Sequence, residues 1–234
     1  MLRLDGLQVR QGTFTLFADF EVGSDRVVAV MGPSGGGKST LIAAIAGFLR
    51  PIAGRVWWDG LDLTALAPGQ RPVSVLFQDN NLFPHLTVQK NLALGVRPSG
   101  RLTQLEHGQV ADMMANVGLD GLGDRTPGSL SGGQQSRAAL ARVLLADRPL
   151  ILLDESFAAL GPGLKDELLV LAARLIGEAG RMMIMVTHDP EDARRISSAV
   201  IGVEAGIASG PVPTADFLKN PPPGMRAYLG LGPE

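Results

Sequence analysis

Cysteine is absent from the 234 residues, which removes disulfides, thiolate nucleophiles and thiolate metal sites together. Histidine is scarce, and His85, His107 and His188 stand far apart along the chain, so a histidine-rich metal cluster is not expected. The longest apolar runs, such as LIAAIAGFL from Leu41 to Leu49, fall well short of the ~18 residues that a membrane span needs. The start, MLRLDGLQVR, alternates like a strand and lacks the continuous apolar region of a signal peptide. Lys and Arg total 21 against 23 Asp and Glu, for a net charge of −2. They are scattered, and no basic stripe or polybasic tail points to nucleic acid or anionic lipid. No internal repeat or low-complexity segment appears. What remains is a globular chain, 45% hydrophobic, long enough for one domain with a sizeable insertion and expected to be soluble and cytoplasmic.

The pattern changes twice along the chain. LRLDGLQVR and FTLFADFEV alternate with period two, as antiparallel strands with one wet face do, whereas VVAV in RVVAVM reads as buried on both faces. A glycine-rich turn follows, then STLIAAIAGFL, apolar at helical spacing and ended near Gly47 and Pro51. GRVWWDG and RPVSVLF read as further strands. From about residue 80 to 146 the patterns become helical, most clearly in LTQLEHGQVADMMANVG and SGGQQSRAALARVLLA. Strand and helix then alternate again through LILLD, LKDELLVLAARLIGEAG, RMMIMVTH, PEDARRIS and SAVIGVE. The layout predicts a single α/β domain over 1–234. Its core is about 1–79 and 147–210, its helical insertion about 80–146, and its tail 211–234 a short helix in a proline-rich stretch, with no room for a second regulatory domain.

GPSGGGKST, which is Gly32, Pro33, Ser34, Gly35, Gly36, Gly37, Lys38, Ser39 and Thr40, matches G-x-x-x-x-G-K-[ST] between a predicted strand and a predicted helix. Glycines let the backbone wrap closely and turn several N–H groups onto one anion. The helix start adds partial positive charge. Lys38 reaches the terminal phosphates, and the Ser39 hydroxyl is a Mg²⁺ ligand. LILLDESFAALGPG, residues 150–163, ends an apolar run in Asp154 and Glu155. Alone it reads equally as a strand delivering acids to a site or as a core strand whose first solvated residues are acidic. The phosphate loop breaks the tie. It needs a carboxylate from a neighbouring strand for its Mg²⁺, which assigns Asp154 to the metal and leaves Glu155 to orient an attacking water. A second glycine-containing helix start, LSGGQQ, has Ser131 as its N-cap and open amides at Gly132 and Gly133.

Together these motifs resemble the ATP-binding subunits of ABC transporters, over nearly the whole chain. LSGGQ at Leu130 to Gln134 stands upstream of LILLDE; Gln78 ends VLFQ; His188 follows a strand in THD. The order and spacing of the set carry the resemblance. It implies a P-loop NTPase core, with a RecA-like mixed sheet and an antiparallel β subdomain, plus an inserted α-helical subdomain. It further implies ATP and Mg²⁺ as cofactors and a head-to-tail homodimer, in which Ser131, Gly132, Gly133 and Gln134 close on the partner chain's ATP. Gln78 then touches Mg²⁺ and senses a transmembrane permease, Glu155 polarises water, and His188 contacts the γ-phosphate. The helical insertion and the segment after Gln78 form the groove for a permease coupling helix. The implied location is the cytoplasmic side of a bacterial inner membrane, with a periplasmic solute-binding protein as an indirect partner and no nucleic acid.

Within the family, RPVSVLFQDNNLFPHLTVQKNLALG most resembles the ATPases of bacterial importers, and its NNLF.HLTV wording is similar to that of thiamine importers. LFPHLTV also recurs in importers of sulfate, iron and polyamines, which often carry a C-terminal β domain that this chain lacks. Two departures stand out. The aromatic residue that stacks on adenine in the family aligns with Gln11, leaving Phe14 or Phe17 as substitutes. The family wording DEPFSALDP reads DESFAALGP here, changed at Ser156, Ala158 and Gly161; Gly161 supplies no carboxylate and adds backbone freedom. The expectation is a working ATP hydrolase. The alternative, a nucleotide-switched subunit with little hydrolysis, is supported only by that altered turn.

Overall fold

The computed structural model describes residues 1–23 and 27–229. In chain order the elements are β1 (Leu2–Gln11), β2 (Phe14–Val22), β3 (Val27–Met31), α1 (Lys38–Ala46), β4 (Ala53–Trp58), β5 (Leu61–Asp62), β6 (Val73–Leu76), α2 (Val88–Val96), α3 (Gln104–Asn116) and α4 (Gly132–Leu145). They continue with β7 (Leu150–Asp154), α5 (Pro162–Glu178), β8 (Met182–Val186), α6 (Pro190–Ile196), β9 (Ala199–Glu204), β10 (Ile207–Pro213), α7 (Thr214–Lys219) and α8 (Pro223–Tyr228). Two compact units divide the chain: Met1–Val73 with Met182–Glu234, and Ser74–Arg181.

The first unit carries a mixed sheet in the order β5-β4-β1-β2-β10-β9-β3-β8. Strands β1, β2, β4 and β5 pair antiparallel, while β3 lies parallel to both β8 and β9. Burial follows the expected split. β1 and β2 alternate, but β1 buries Leu2 and Leu4 and then Leu7 and Val9, a change of parity. A register shift between Leu4 and Leu7 causes it, with Gly6 at φ 53, because one extra residue in a strand turns every later side chain to the opposite face. β3 and β8 are buried along their whole length, as strands covered on both faces must be.

Three elements were not marked by sequence patterning: β5, β10 and α8. β10 reads IASGPVP, a poor strand by propensity. It pairs antiparallel with β9 across a register shift between Ser209 and Val212, so Gly210 and Pro211 fall in an irregularity where proline costs no ladder bond.

In the second unit β6 and β7 are neighbours and the helices enclose their own core, including Val88, Leu92, Val110, Met114, Val117 and Leu130. Helices α2 and α4 approach so closely that a β-carbon at Gly95 would stand 2.3 Å from the Arg142 carbonyl oxygen. Helix α3 begins with a capping box in which Thr103 and Glu106 satisfy each other's backbone N–H. Hydrogen bonds donated to the Glu106 carboxylate by the Thr103 backbone N–H first, then by Arg97 and the Thr103 hydroxyl, lower its pKa to about 2.

Arg71 is 1% exposed and closes the far end of α1. Gly47 ends that helix at φ 90, its N–H turned back to Ala43 and Ala44. The Arg71 guanidinium donates to the carbonyls of Ala44 and Ile45 at 2.8 Å each, and also to those of Thr64 and Leu66. A cation on the last carbonyls is favourable at this pole of the helix; burial pulls the arginine below its ordinary pKa, and the Asp62 carboxylate opposes that shift. Arg71→Ala is expected to lower unfolding stability by about 3 kcal/mol, since hydrogen bonds to charged groups are the stronger kind and their partners stay buried. A denaturant midpoint measures it. Arg71→Lys, whose single nitrogen cannot reach all four carbonyls that the guanidinium spans, should recover only part of the loss.

Candidate functional site

The loop between β3 and α1 is shaped by what surrounds it. A β-carbon at Gly32 would stand 1.9 Å from the carbonyl oxygen of Val203 in β9, and one at Gly36 would stand 2.8 Å from the same atom. Gly37, the N-cap of α1, sits at φ 114, and a β-carbon there would meet Leu16 Cδ1 and Phe14 Cζ at 2.9 Å. These glycines are therefore steric requirements of the loop's neighbours as well as of its curvature. The Gly36 carbonyl accepts from the Gly206 N–H at the β9–β10 turn, 3.1 Å away. Ser34, Gly35 and Ser39 stay exposed. Lys38 is only 7% exposed, and its Nζ donates to the carbonyls of Gly32 at 2.8 Å and Pro33 at 3.0 Å. Its charge is thus held across the loop.

His188 leaves the sheet beside this loop. Val30 of β3 pairs with Val186 of β8, so Gly32 and His188 each lie two residues beyond partnered positions, at the same ends of parallel strands. His188 itself is exposed. Its neighbours are anchored: the Thr187 N–H donates to the Val30 carbonyl at 3.2 Å, and its buried hydroxyl donates to Asp192 and accepts from the Asp189 N–H. Gln11 ends β1 within 3.5 Å of the Thr40 hydroxyl. Phe14 packs against Gly37 and Gly206, whereas Phe17 is 40% exposed and pairs with Ile207. Of the two aromatics considered from sequence, Phe14 is the one against the loop.

The second unit holds the acids. β7 is buried for four residues and ends at half-buried Asp154. Glu155 follows at φ 48, a left-handed conformation uncommon outside glycine. Ser156, a departure from the family wording, is buried, and its Oγ donates to the carbonyl of Leu76 at 2.7 Å. Leu76 is the last residue of β6 and exposed Gln78 lies two residues on. One hydroxyl therefore ties the acid-bearing turn to the strand that leads to Gln78. Sequence reasoning found the substitution and missed the bond.

Gly161 is the N-cap of α5 at φ −62, with nothing within 4 Å of where a β-carbon would stand. That conformation suits any residue, so the expected extra backbone freedom is not called on there. At the head of α4, Ser131 and Gln134 form a reciprocal capping box. Gly132 is exposed, but Gly133 is buried, and a β-carbon on it would stand 2.5 Å from Leu164 Cδ2 of α5. Gly133 thus also serves helix packing. No cluster of three or more His, Cys, Asp or Glu is arranged to hold a metal among the described residues. The donors named from sequence are instead a hydroxyl (Ser39), an amide (Gln78) and one carboxylate (Asp154), oxygen ligands of the kind Mg²⁺ takes alongside phosphate.

A cavity of about 320 Å³ opens between α2 and α4, lined among others by Asn81, Phe83, Leu94 and Arg142. Asn91, fully buried, shapes its rim. Its amide donates to the carbonyls of Phe83, Leu86 and Thr87 and accepts from the Phe83 N–H at 2.8 Å. Arg142 donates to the Asn81 carbonyl at 2.7 Å and covers the Phe83 ring at 5.7 Å. Neither Asn91 nor Arg142 was singled out from sequence; a polar residue on the apolar face of α2 is the signal that marks the first.

Residues 17–158 match the ABC transporter family. The chain is 57% identical to the thiamine import ATP-binding protein ThiQ of Cereibacter sphaeroides over 230 residues, covering 98% of this chain and 100% of that one. To the protein of the same name from a Ruegeria species it is 55% identical, with the same coverage. To that of Brucella suis it is 42% identical, covering 98% and 95%. Among solved structures, the dimeric post-hydrolysis state of the ATP-binding cassette MJ0796 bound to ADP and Pi superposes with a TM-score of 0.77 at 27% identity, over 92% of this chain and 99% of that one. A second dimeric MJ0796 structure gives 0.78 at the same identity and coverage.

Ser156→Ala leaves the buried Leu76 carbonyl without its partner, at a cost of about 1 kcal/mol. Faster amide hydrogen exchange confined to the turn after β7 and the end of β6 is the expected outcome. Unchanged protection at both places would show that the hydroxyl does not hold them together.

Proposed function

The chain belongs to the ABC transporter family, and from that premise we propose that it is the ATP-hydrolysing subunit of an importer for thiamine. The observation that carries the solute is the 57% and 55% identity, from end to end, to proteins named for thiamine import. The wording around Gln78 points the same way.

In this reading the Gly32–Thr40 loop wraps the triphosphate, and Lys38 exchanges the Gly32 and Pro33 carbonyls for phosphate oxygens. Ser39, Gln78 and Asp154 hold Mg²⁺, which when bound neutralises charge on the phosphates. Glu155 orients the attacking water, and His188, leaving β8 beside the loop, contacts the γ-phosphate. Gln11 and Phe14 flank the loop where the base approaches. Ser131, Gly132, Gly133 and Gln134 serve the ATP of a second copy, so the working form is a homodimer. The rim held by Asn91, with Phe83 presented at 45% exposure, receives a helix of a transmembrane permease. No helix among the described residues is long and apolar enough to cross a membrane, and in this reading the permease supplies the spanning segments. The protein then works at the cytoplasmic face of the inner membrane, and a periplasmic binding protein delivers the solute.

Glu155→Gln tests the water-orienting role. It should keep ATP binding while lowering turnover about 100-fold or more, the lower end of what a positioned base contributes. Size-exclusion chromatography with ATP should then show accumulated dimer; parental turnover, or a species that stays monomeric, contradicts the role.

The solute is tested on the assembled complex. ATP hydrolysis by the chain with its permease should rise when thiamine-loaded binding protein is added. Stimulation by sulfate, iron or a polyamine instead, with none by thiamine, overturns the assignment.

A further inference from the structure

The C-terminal segment after β10 plays no part in the chemistry described so far, yet it reaches the phosphate loop. Helices α7 and α8 lie over β3 and β9, where Phe217 and Met225, each 2% exposed, join Ala29, Met31, Ala193 and Val200 in one cluster. The end of the Met225 side chain is the part nearest the loop. Its Cε would stand 3.2 Å from a β-carbon at Gly32 and 3.4 Å from one at Gly202. The terminal methyl of Met225 therefore packs beside two glycines, one of them the first residue of the loop, next to the Val203 carbonyl at Gly32 and the Phe217 ring at Gly202. An unbranched methionine suits such a narrow gap.

A second contact runs through the β9–β10 turn. The Glu204 carboxylate lies against Gly224 so closely that a β-carbon there would stand 1.8 Å from Glu204 Oε1. Two residues beyond Glu204, the Gly206 N–H donates to the Gly36 carbonyl at 3.1 Å. The tail thus bears on the loop at Gly32 directly and at Gly36 through the turn. Both contacts meet backbone that must keep its shape if its N–H groups are to face one anion.

We propose that the C-terminal segment 214–229 is a buttress of the nucleotide site, with Met225 as a positioning residue that holds the start of the phosphate loop in its binding shape. The proposal rests on the reading that Gly32–Thr40 binds the triphosphate. Its consequence is reciprocal: if a docked tail favours nucleotide, nucleotide must favour the docked tail by the same factor.

The test uses the full-length protein and a fluorescent ATP analogue with Mg²⁺. Met225→Ala should weaken binding about fivefold or more, the lower range of such couplings, while kcat at saturating ATP changes much less than KM. Met225→Leu, of similar volume, should restore most of the affinity. Independently of any variant, nucleotide should slow tryptic cleavage after Lys219, the exposed last residue of α7, and Lys38→Ala should abolish that protection. Wild-type protein that binds nucleotide with cleavage after Lys219 unchanged overturns the buttress alone, as does a folded Met225→Ala protein of parental affinity. Wild-type protein that binds no nucleotide overturns the reading of the loop, and the buttress with it.

Discussion

The carbonyl of Val203 is the constraint around which the first unit is built. It projects from β9 into the space that β-carbons on Gly32 and Gly36 would occupy, so the loop can lie where it does only because those residues have no side chain. β9 is itself positioned by its parallel pairing with β3, the strand that delivers the loop. The register of two buried strands thus sets the height of the loop above the sheet, and the glycines allow it. Lys38 then closes the arrangement from within by binding the Gly32 and Pro33 carbonyls. A cation held on neutral carbonyls is well prepared for a better acceptor, because charge-assisted bonds to phosphate oxygens are stronger.

The second unit solves its positioning problem with buried side-chain hydrogen bonds. Asn91 uses both ends of its amide on the backbone between Phe83 and Thr87. Ser156 spends its hydroxyl on the end of β6. Asn91 fixes the chain entering α2, Ser156 adds a side-chain bond just beyond the paired strands β6 and β7, and each is buried, where an unmade bond is expensive. The departures from the family wording at Ser156 and Gly161 then differ in kind. Ser156 brings its own tether, whereas Gly161 leaves the head of α5 without a side-chain cap in a conformation that any residue adopts.

Local features were legible in the sequence for local reasons. Alternation in LRLDGLQVR and FTLFADFEV, the continuous apolar run VVAV, the glycine turn before STLIAAIAG and the N-cap at Ser131 are all set by residues within a few positions of one another, and each appears in the structure. The phosphate-loop residues, Asp154 and Glu155 were named for the same reason, from short motifs, whereas the roles of Gln78, His188 and the LSGGQ run came from the resemblance to the family. What tertiary structure alone decided depends on partners far away in the chain. β10 is a strand because β2 and β9 offer it ladder groups, although Gly210 and Pro211 argue against one. Gly133 is small for Leu164 as well as for its helix start, Arg71 is buried for the carbonyls of α1, and Met225 is apolar for Gly32. A sequence states a residue's own propensities; the space left by another part of the chain exists only after folding, and that space is what determines these choices.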